Sequence, residues 1–268
     1  MSVVLDVRDL HKSFGGVVAA ANINVKIESG ETVGVIGANG AGKTTFVNMV
    51  TGYMPPSTGQ IDFLGRSILG LKPRAIMRLG LCRSFQVPQV FSSETAFQNM
   101  MMAYGISDAH GLGLLRPLHN AERAQRVSEH LARYKIADYS NVVATALPQG
   151  VRKLLDIAMA TVSGPSLLML DELTSGISVE EKFSVMDIVM DALREAKTTV
   201  LFIEHDMEII ERYVSRVLAF YQGEIICDAT AAEALKDPKV REFVIGENFR
   251  RVRDGGAAPG TDEASAHA

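Results

Sequence analysis

The 268-residue chain has little that would place it outside the cytosol or on a nucleic acid. It holds only two cysteines, Cys82 and Cys227, far apart and in no metal-like spacing. That scarcity leaves no zinc-type cysteine pairs and suits a reducing compartment. Basic excess is lacking as well. The 27 Lys and Arg stand against 31 Asp and Glu, a formal net charge of −4, so nothing points to a nucleic-acid partner. No apolar run approaches the ~18–20 residues that cross a bilayer. The start Met1-Ser2-Val3-Val4-Leu5-Asp6 lacks the basic opening and apolar core of a secretory signal. Internal repeats and a long coiled coil are missing too. A membrane role would therefore run through docking onto another chain. What is present is ordinary for a globular protein: 47% hydrophobic and 22% charged residues. The length allows a full α/β core, as one large domain or a domain with a subdomain.

Against this plain background, Gly37-Ala38-Asn39-Gly40-Ala41-Gly42-Lys43-Thr44-Thr45 fits the spacing G-x-x-x-x-G-K-[ST]. Each position has a physical purpose in cradling a nucleotide polyphosphate. The glycines permit backbone angles that a Cβ forbids, so successive N–H groups turn inward around phosphate oxygens. Lys43 brings a mobile positive charge to the β and γ phosphates, and the Thr44 hydroxyl suits Mg²⁺. The preceding Glu31–Ile36 reads as a buried strand. A helix over Thr44–Met54, stopped by Gly52 and the Pro55-Pro56 pair, would point its N-terminus at the anion.

Further strand-like runs lie at Val3–Val7, Ser166–Leu170, Thr199–Ile203 and Val217–Tyr221, with a hairpin turn at Tyr221–Ile225. Helical patterns between them predict a mixed α/β sheet. The middle, from Pro88 to Ala160, contains helix-forming stretches at Ala121–Lys135 and Arg152–Val162 and reads as a helical insertion. The expected division is an ATP-binding core over 1–87 and 161–249, a helical subdomain over 88–160, and a disordered tail over 250–268. The tail is too poor in apolar residues to pack.

Leu167-Leu168-Met169-Leu170-Asp171-Glu172 is an apolar strand ending in two carboxylates, at the sheet edge where open α/β proteins bind ligands. Asp171 suits Mg²⁺, directly or through water. Glu172 is placed to polarise an attacking water. Alone, such a run also describes a strand end meeting solvent; the phosphate loop upstream gives it weight. Gln86 follows Phe85 where an amide would reach Mg²⁺ or water, or is a surface glutamine. His205, in Ile203-Glu204-His205-Asp206-Met207, ends another apolar strand. It is either structural or a hydrogen-bond donor to a γ-phosphate.

In order and spacing these segments resemble the ATP-binding subunit of ABC transporters, from Asp9 to about Phe249. The resemblance implies a P-loop NTPase fold, with Gly37 to Thr45 as Walker A, Gln86 as the Q-loop, Asp171 and Glu172 as Walker B with the catalytic Glu, and His205 as the switch His. It implies catalytic roles for Glu172, His205, Gln86 and Lys43, and a Mg²⁺ site from Thr44, Gln86 and Asp171. Phe14, in Leu10-His11-Lys12-Ser13-Phe14-Gly15-Gly16, falls where the family stacks an aromatic ring on adenine. Within the family the likeness is to branched-chain amino acid uptake ATPases. It is carried by Phe14-Gly15-Gly16, Arg83-Ser84-Phe85-Gln86, Gly111–Pro117, Ile203–Met207 and Asp237-Pro238-Lys239-Val240. The implied cofactors are ATP and Mg²⁺. The implied partners are membrane permease subunits, a second ATPase subunit and, indirectly, a periplasmic solute-binding protein. The implied location is peripheral, on the cytoplasmic face of the inner membrane. Two rivals are a lipopolysaccharide-export ATPase, which 246–250 somewhat resembles, and a soluble ABC protein of DNA repair or ribosomes.

One motif departs from the family. Its signature loop usually reads Leu-Ser-Gly-Gly-Gln; here the aligned residues are Leu147-Pro148-Gln149-Gly150-Val151. Proline offers neither the hydroxyl nor the N–H of the serine it replaces. A lost hydrogen bond to a charged group costs about 1.5–3 kcal/mol. Proline also suits the first turn of a helix, so helix initiation explains it equally well. Leu173 stands where the family has Pro, and Ser178 where the dimer-contacting loop often carries Asp. These departures fall on elements that the family lends to its partner's ATP, whereas the chain's own site looks complete. A heterodimer fits that pattern better than a homodimer.

If Phe14 stacks on adenine, Phe14→Ala should raise the ATP dissociation constant by the equivalent of about 1–3 kcal/mol. Inorganic triphosphate, which has no base, should bind the variant as it binds the wild type. Equal losses for both ligands in a calorimetric titration would make Phe14 a packing residue.

Overall fold

Apolar alternation along the strands sets the layers of this protein. A computed structural model describes residues 2–84, 89–108 and 120–246. Among them, strands β1 (Val3–Phe14), β2 (Val17–Glu28), β3 (Thr32–Gly37), β4 (Thr58–Phe63), β5 (Arg66–Ser67), β6 (Leu81–Ser84), β7 (Leu167–Asp171), β8 (Thr199–Ile203), β9 (Arg216–Tyr221) and β10 (Glu224–Thr230) form two sheets. The first is antiparallel, in the order β2-β1-β4-β5. The second runs β10-β9-β3-β8-β7-β6, parallel except for β10, which returns from β9 through the Gln222-Gly223 turn. The helices are α1 (Lys43–Val50), α2 (Pro73–Arg78), α3 (Ala96–Asp108), α4 (Ala121–Arg133), α5 (Gln149–Thr161), α6 (Val179–Glu195) and α7 (Met207–Tyr213), with shorter turns after β10.

Successive strand side chains point to opposite faces. On the six-stranded sheet, Leu167, Met169, Leu201, Ile203, Leu218 and Phe220 pack on one side with α1 and the antiparallel sheet. Leu168, Leu170, Val200, Phe202, Val217 and Ala219 pack on the other with α5, α6 and the helical middle. Both faces are thus covered, which is why these strands read as continuous apolar runs. The expected strands and the hairpin are present. Four strands were not anticipated: β2, β4, β5 and β6. Two of them are very short, and Arg83 interrupts the apolar pattern of β6. Helix α1 ends at Val50 rather than Met54. There the Thr51 hydroxyl donates to the Val47 carbonyl at 2.6 Å, and Gly52 turns the chain out.

The middle segment is helical as expected, with α3, α4 and α5 packed together. Met100 and Met101 of the Met100-Met101-Met102 run are buried in its core. Inside sits a polar relay. Thr161 Oγ1 donates to the Ala158 carbonyl at 2.9 Å, which spends its only hydrogen. The His130 Nε2 at 3.0 Å and the Tyr134 hydroxyl at 2.9 Å must therefore donate to Thr161. His130 Nδ1 is left to accept from the Tyr104 hydroxyl at 2.8 Å. The imidazole is fixed as the neutral Nε2–H tautomer and stacks on Tyr134.

Burial, and then Arg133 and Arg126, hold the His130 pKa down to about 4 from its ordinary 6.5. The neutral ring is favoured in the folded state. Its contribution is therefore present above pH 6.5 and is lost as pH falls toward 4, up to about 3 kcal/mol. His130→Gln should flatten that part of the acid limb. Urea midpoints of wild type and variant between pH 7 and pH 4 should converge; a constant difference would show that His130 does not titrate on unfolding.

Candidate active site

The carboxyl ends of β3, β7 and β8 open into one cleft. It is lined by Asn39 to Thr45 with Asp171, Glu172 and His205, and by two residues not anticipated, Ala19 and Ile203. Sequence spacing explains the loop locally. Gly42 has φ +105°, and a Cβ there would lie 2.6 Å from the Ala19 carbonyl oxygen and 3.1 Å from Gly223 Cα. The β9–β10 turn braces the loop: Gly223 N donates to the Ala41 carbonyl at 2.9 Å, and Ala21 N donates to the Gly223 carbonyl at 2.8 Å. Helix α1 starts with no side-chain cap, so its first-turn amides face the cleft mouth as an anion-binding end.

Lys43 is buried, and its Nζ donates to the carbonyls of Gly37 at 2.5 Å and Ala38 at 3.0 Å. Burial pulls its pKa below the ordinary lysine value, a pull opposed by Glu172 and then Asp171. A triphosphate would exchange the two carbonyl bonds for charged ones. Asp171 and Thr44 supply hard oxygens to the same cleft, the donor type that Mg²⁺ selects. Among the described residues no cluster of three acidic, His or Cys side chains could hold a metal alone. A nucleotide-bound Mg²⁺ needs no such cluster, because phosphates and waters complete its shell. The two residues therefore fit the ion.

Glu172 and His205, 33 residues apart, meet: His205 Nε2 lies 3.0 Å from Glu172 Oε1. Glu172 has φ +47°, uncommon for a residue with a side chain, and its N–H donates to the Ile203 carbonyl at 2.8 Å. Glu204, buried beneath, accepts from Thr174 N at 3.0 Å and Thr174 Oγ1 at 3.2 Å, tying the loop after Glu172 to the loop that carries His205. Burial pushes the Glu204 pKa up, against the Thr174 bonds. Glu204 and Thr174 carry no sequence signal of this role.

Other expected residues lie outside the cleft lining. Phe14, half exposed at the end of β1, has Lys12 Nζ 5.1 Å from its ring centroid. Gln86 and Gly111–Pro117 lie outside the described residues. In the stretch expected as the signature loop, Pro148 is the N-cap of α5 and not its first turn; its carbonyl accepts from Arg152 N at 2.9 Å. Gly150 packs against Val185 of α6, and the Gln149 amide lies over Gly176. Ser178 is the N-cap of α6, its hydroxyl accepting from Glu181 N at 3.3 Å.

The family model described as "ABC transporter" matches residues 20–175, more than half of the chain, including Asn39 to Thr45, Asp171 and Glu172 of the cleft but not Ile203 or His205. The chain belongs to the ABC transporter family. It is the ATP-binding, ATP-hydrolysing type of subunit, and among the described residues no helix is long and apolar enough to cross a membrane. Its relatives include the high-affinity branched-chain amino acid transport ATP-binding protein LivG of Salmonella typhimurium and BraF of Pseudomonas aeruginosa. Each is 32% identical over 250 residues, 91% of this chain and 98% of the relative. A probable LivG of Archaeoglobus fulgidus is 31% identical over 258 residues, 94% of this chain and 99% of its own. Among solved structures, cbiO1 of Clostridium perfringens, part of the ABC transporter complex cbiONQ, has TM-score 0.78 at 27% identity, over 95% of this chain and 98% of that one. The ADP conformation of MJ1267, an ATP-binding cassette of an ABC transporter, has TM-score 0.78 at 24% identity, over 90% and 97%, which speaks to the fold.

The loop geometry ranks two substitutions in this ABC ATPase. A Cβ at Gly40 would meet nothing within 4 Å, whereas at Gly42 it meets backbone. Both have positive φ, so Gly40→Ala should cost about 1–2 kcal/mol of left-handed strain. Gly42→Ala should cost visibly more and displace the Ala19 or Gly223 backbone. Urea denaturation of the two variants checks the order; equal midpoints would mean that the loop relaxes freely.

Proposed function

We propose that this ABC ATPase powers uptake of branched-chain amino acids, or a related small solute, through a separate permease. The observation that carries the catalytic part is the Glu172–His205 hydrogen bond in the cleft that also holds Lys43 and Asp171. The relatives' names carry the solute class. Lys43 and the amides of Gly37 to Thr45 bind the phosphates, with Asn39, Gly40, Ala41 and Gly42 forming the wall and Phe14 stacking on the base. Thr44, Asp171 and Gln86 would hold Mg²⁺, which would supply charge neutralisation for the triphosphate. Glu172 takes a proton from the attacking water, and His205 orients Glu172 or the γ-phosphate. As in other phosphoryl transfers, catalysis is positioning plus charge stabilisation.

The partners we infer are membrane permease subunits, a second ATPase subunit and, through the permease, a periplasmic solute-binding protein. The site would lie on the cytoplasmic face of the inner membrane. The helical subdomain over 88–160 would carry the permease contact and the signature loop Leu147-Pro148-Gln149-Gly150-Val151. The export-type reading draws on 246–250, of which only Gly246 is described.

Glu172→Gln should keep ATP binding and lose about 10²–10⁴ in turnover, the worth of a general base; Lys43→Ala should weaken nucleotide binding itself. Near-wild-type ATPase for Glu172→Gln with its partner present would refute the assigned base. In a heterodimer, disabling Glu172 should remove more turnover than disabling the partner's equivalent Glu, because Pro148 closes the partner's site. Pro148→Ser should then speed the slow site about tenfold or more. ATPase assays on the reconstituted transporter, one site disabled at a time, read both. Equal residual rates with no gain from Pro148→Ser would make the proline silent.

A further inference from the structure

One cation at the metal side of the cleft has no part in the scheme above. Arg83 lies on the edge strand β6, paired in parallel register with Met169 of β7, and its side chain is only 8% exposed. Its Nη2 donates to Asp171 Oδ2 at 2.5 Å, and its Nη1 donates to Asn48 Oδ1 at 2.7 Å. Asn48 follows Thr44 by four residues on α1, one turn along the same face. The guanidinium therefore ties the strand bearing the acidic Mg²⁺ ligand to the helix bearing the hydroxyl ligand. Among the described residues Asp171 Oδ1 accepts no hydrogen bond. Of the other nearby cations, Lys43 spends its Nζ on the Gly37 and Ala38 carbonyls, and the buried Lys153 acts on Asp171 through its charge, together with Asp156, Glu204 and Glu172. A plain structural ion pair would engage a carboxylate with no other task; this one engages the carboxylate that lines the cleft.

We infer that Arg83 is a positioning residue that stands in for the divalent cation: it holds Asp171 through Oδ2 while no metal is bound and opposes metal binding by its charge. The inference rests on the MgATP reading of the cleft. Asp171 is kept in place beside Thr44 with Oδ1 available, yet its negative charge is already compensated. The bare protein then attracts a divalent cation weakly. Only a bound triphosphate adds enough negative charge to retain it, so metal retention becomes conditional on nucleotide.

Arg83→Met keeps the stem and removes the charge, Arg83→Gln keeps donors without charge, and Arg83→Lys keeps the charge without the planar fork. The probe is Mn²⁺, titrated into the whole chain with electron paramagnetic resonance detection of free ion, with and without ATP. Wild type and Arg83→Lys should bind Mn²⁺ well only with ATP. Arg83→Met and Arg83→Gln should bind Mn²⁺ without nucleotide at least tenfold more tightly than wild type, as removal of a like charge a few ångströms away requires. The gain in Mn²⁺ affinity on adding ATP should shrink correspondingly. Circular dichroism identifies a variant that fails to fold, and the glutamine variant then gives the same reading. Unchanged or weaker Mn²⁺ binding in the folded neutral variants, with ATP still bound, would overturn the stand-in role and leave a structural pair. Wild type that binds no ATP would instead sink the MgATP reading itself.

Discussion

Everything at the cleft depends on the parallel register of three neighbouring strands. Thr32 to Val35 of β3 pair with Val200 to Ile203 of β8, and Leu167 to Asp171 of β7 pair with Thr199 to Ile203. Parallel pairing brings the carboxyl ends of strands from distant parts of the chain to one edge, with the loops that follow them side by side. Asp171 stands opposite Ile203, so the next residues, Glu172 and Glu204, leave the sheet together. A one-residue slip would turn every side chain of β7 to the other face and take Asp171 out of the cleft. The buried Leu168/Leu170 and Leu167/Met169 alternation, anchored in two separate cores, holds the register against that slip.

The legible part of this protein was the part written in contiguous residues. A phosphate loop needs its glycines, lysine and threonine at fixed spacing, so sequence exposes it fully. The strand ending in Asp171-Glu172 and the helical middle follow from local pattern in the same way. Pairing was not legible. Nothing in Glu172 or His205 announces a 3.0 Å contact across 33 residues, and Arg83 looked like one letter of a motif until β6 set it beside Asp171. In the antiparallel sheet, Ile23, Val25 and Ile27 of β2 alternate with Asn24, Lys26 and Glu28 at period two, so half of that strand is legible; the alanine-rich Ala19–Ala21 before it and the two-residue β5 carry no such pattern. In sequence, Pro148 and Ser178 stand out for what they withhold from a partner. Locally, Ser178 caps α6 through its hydroxyl, whereas Pro148 holds the N-cap position of α5 without a side-chain bond.

Buried carboxylates recur as fasteners between loops. Asp156 of α5 accepts from the Ser84 hydroxyl at 2.7 Å and from Gln89 N at 2.8 Å, one on each side of residues 85–88. Glu204 does the same for the loops of Thr174 and His205. Burial pushes the pKa of both carboxyls up, and the bonds each accepts counter it. A half-satisfied buried carboxylate is costly. Each fastener therefore requires both of its loops to be in place, and the helical middle is tied to the core by more than apolar contact.

The left-handed backbone at Glu172 carries a consequence for any effort to harden this protein. A residue with a Cβ gives up about 1–2 kcal/mol in that conformation, and glycine gives up almost none. Replacing Glu172 by glycine would relax the chain at the point where the carboxylate is needed. A library of variants ranked by melting temperature alone would thus rise toward inert proteins at this position. The backbone angle records a compromise in which durability was surrendered for a carboxylate held against His205.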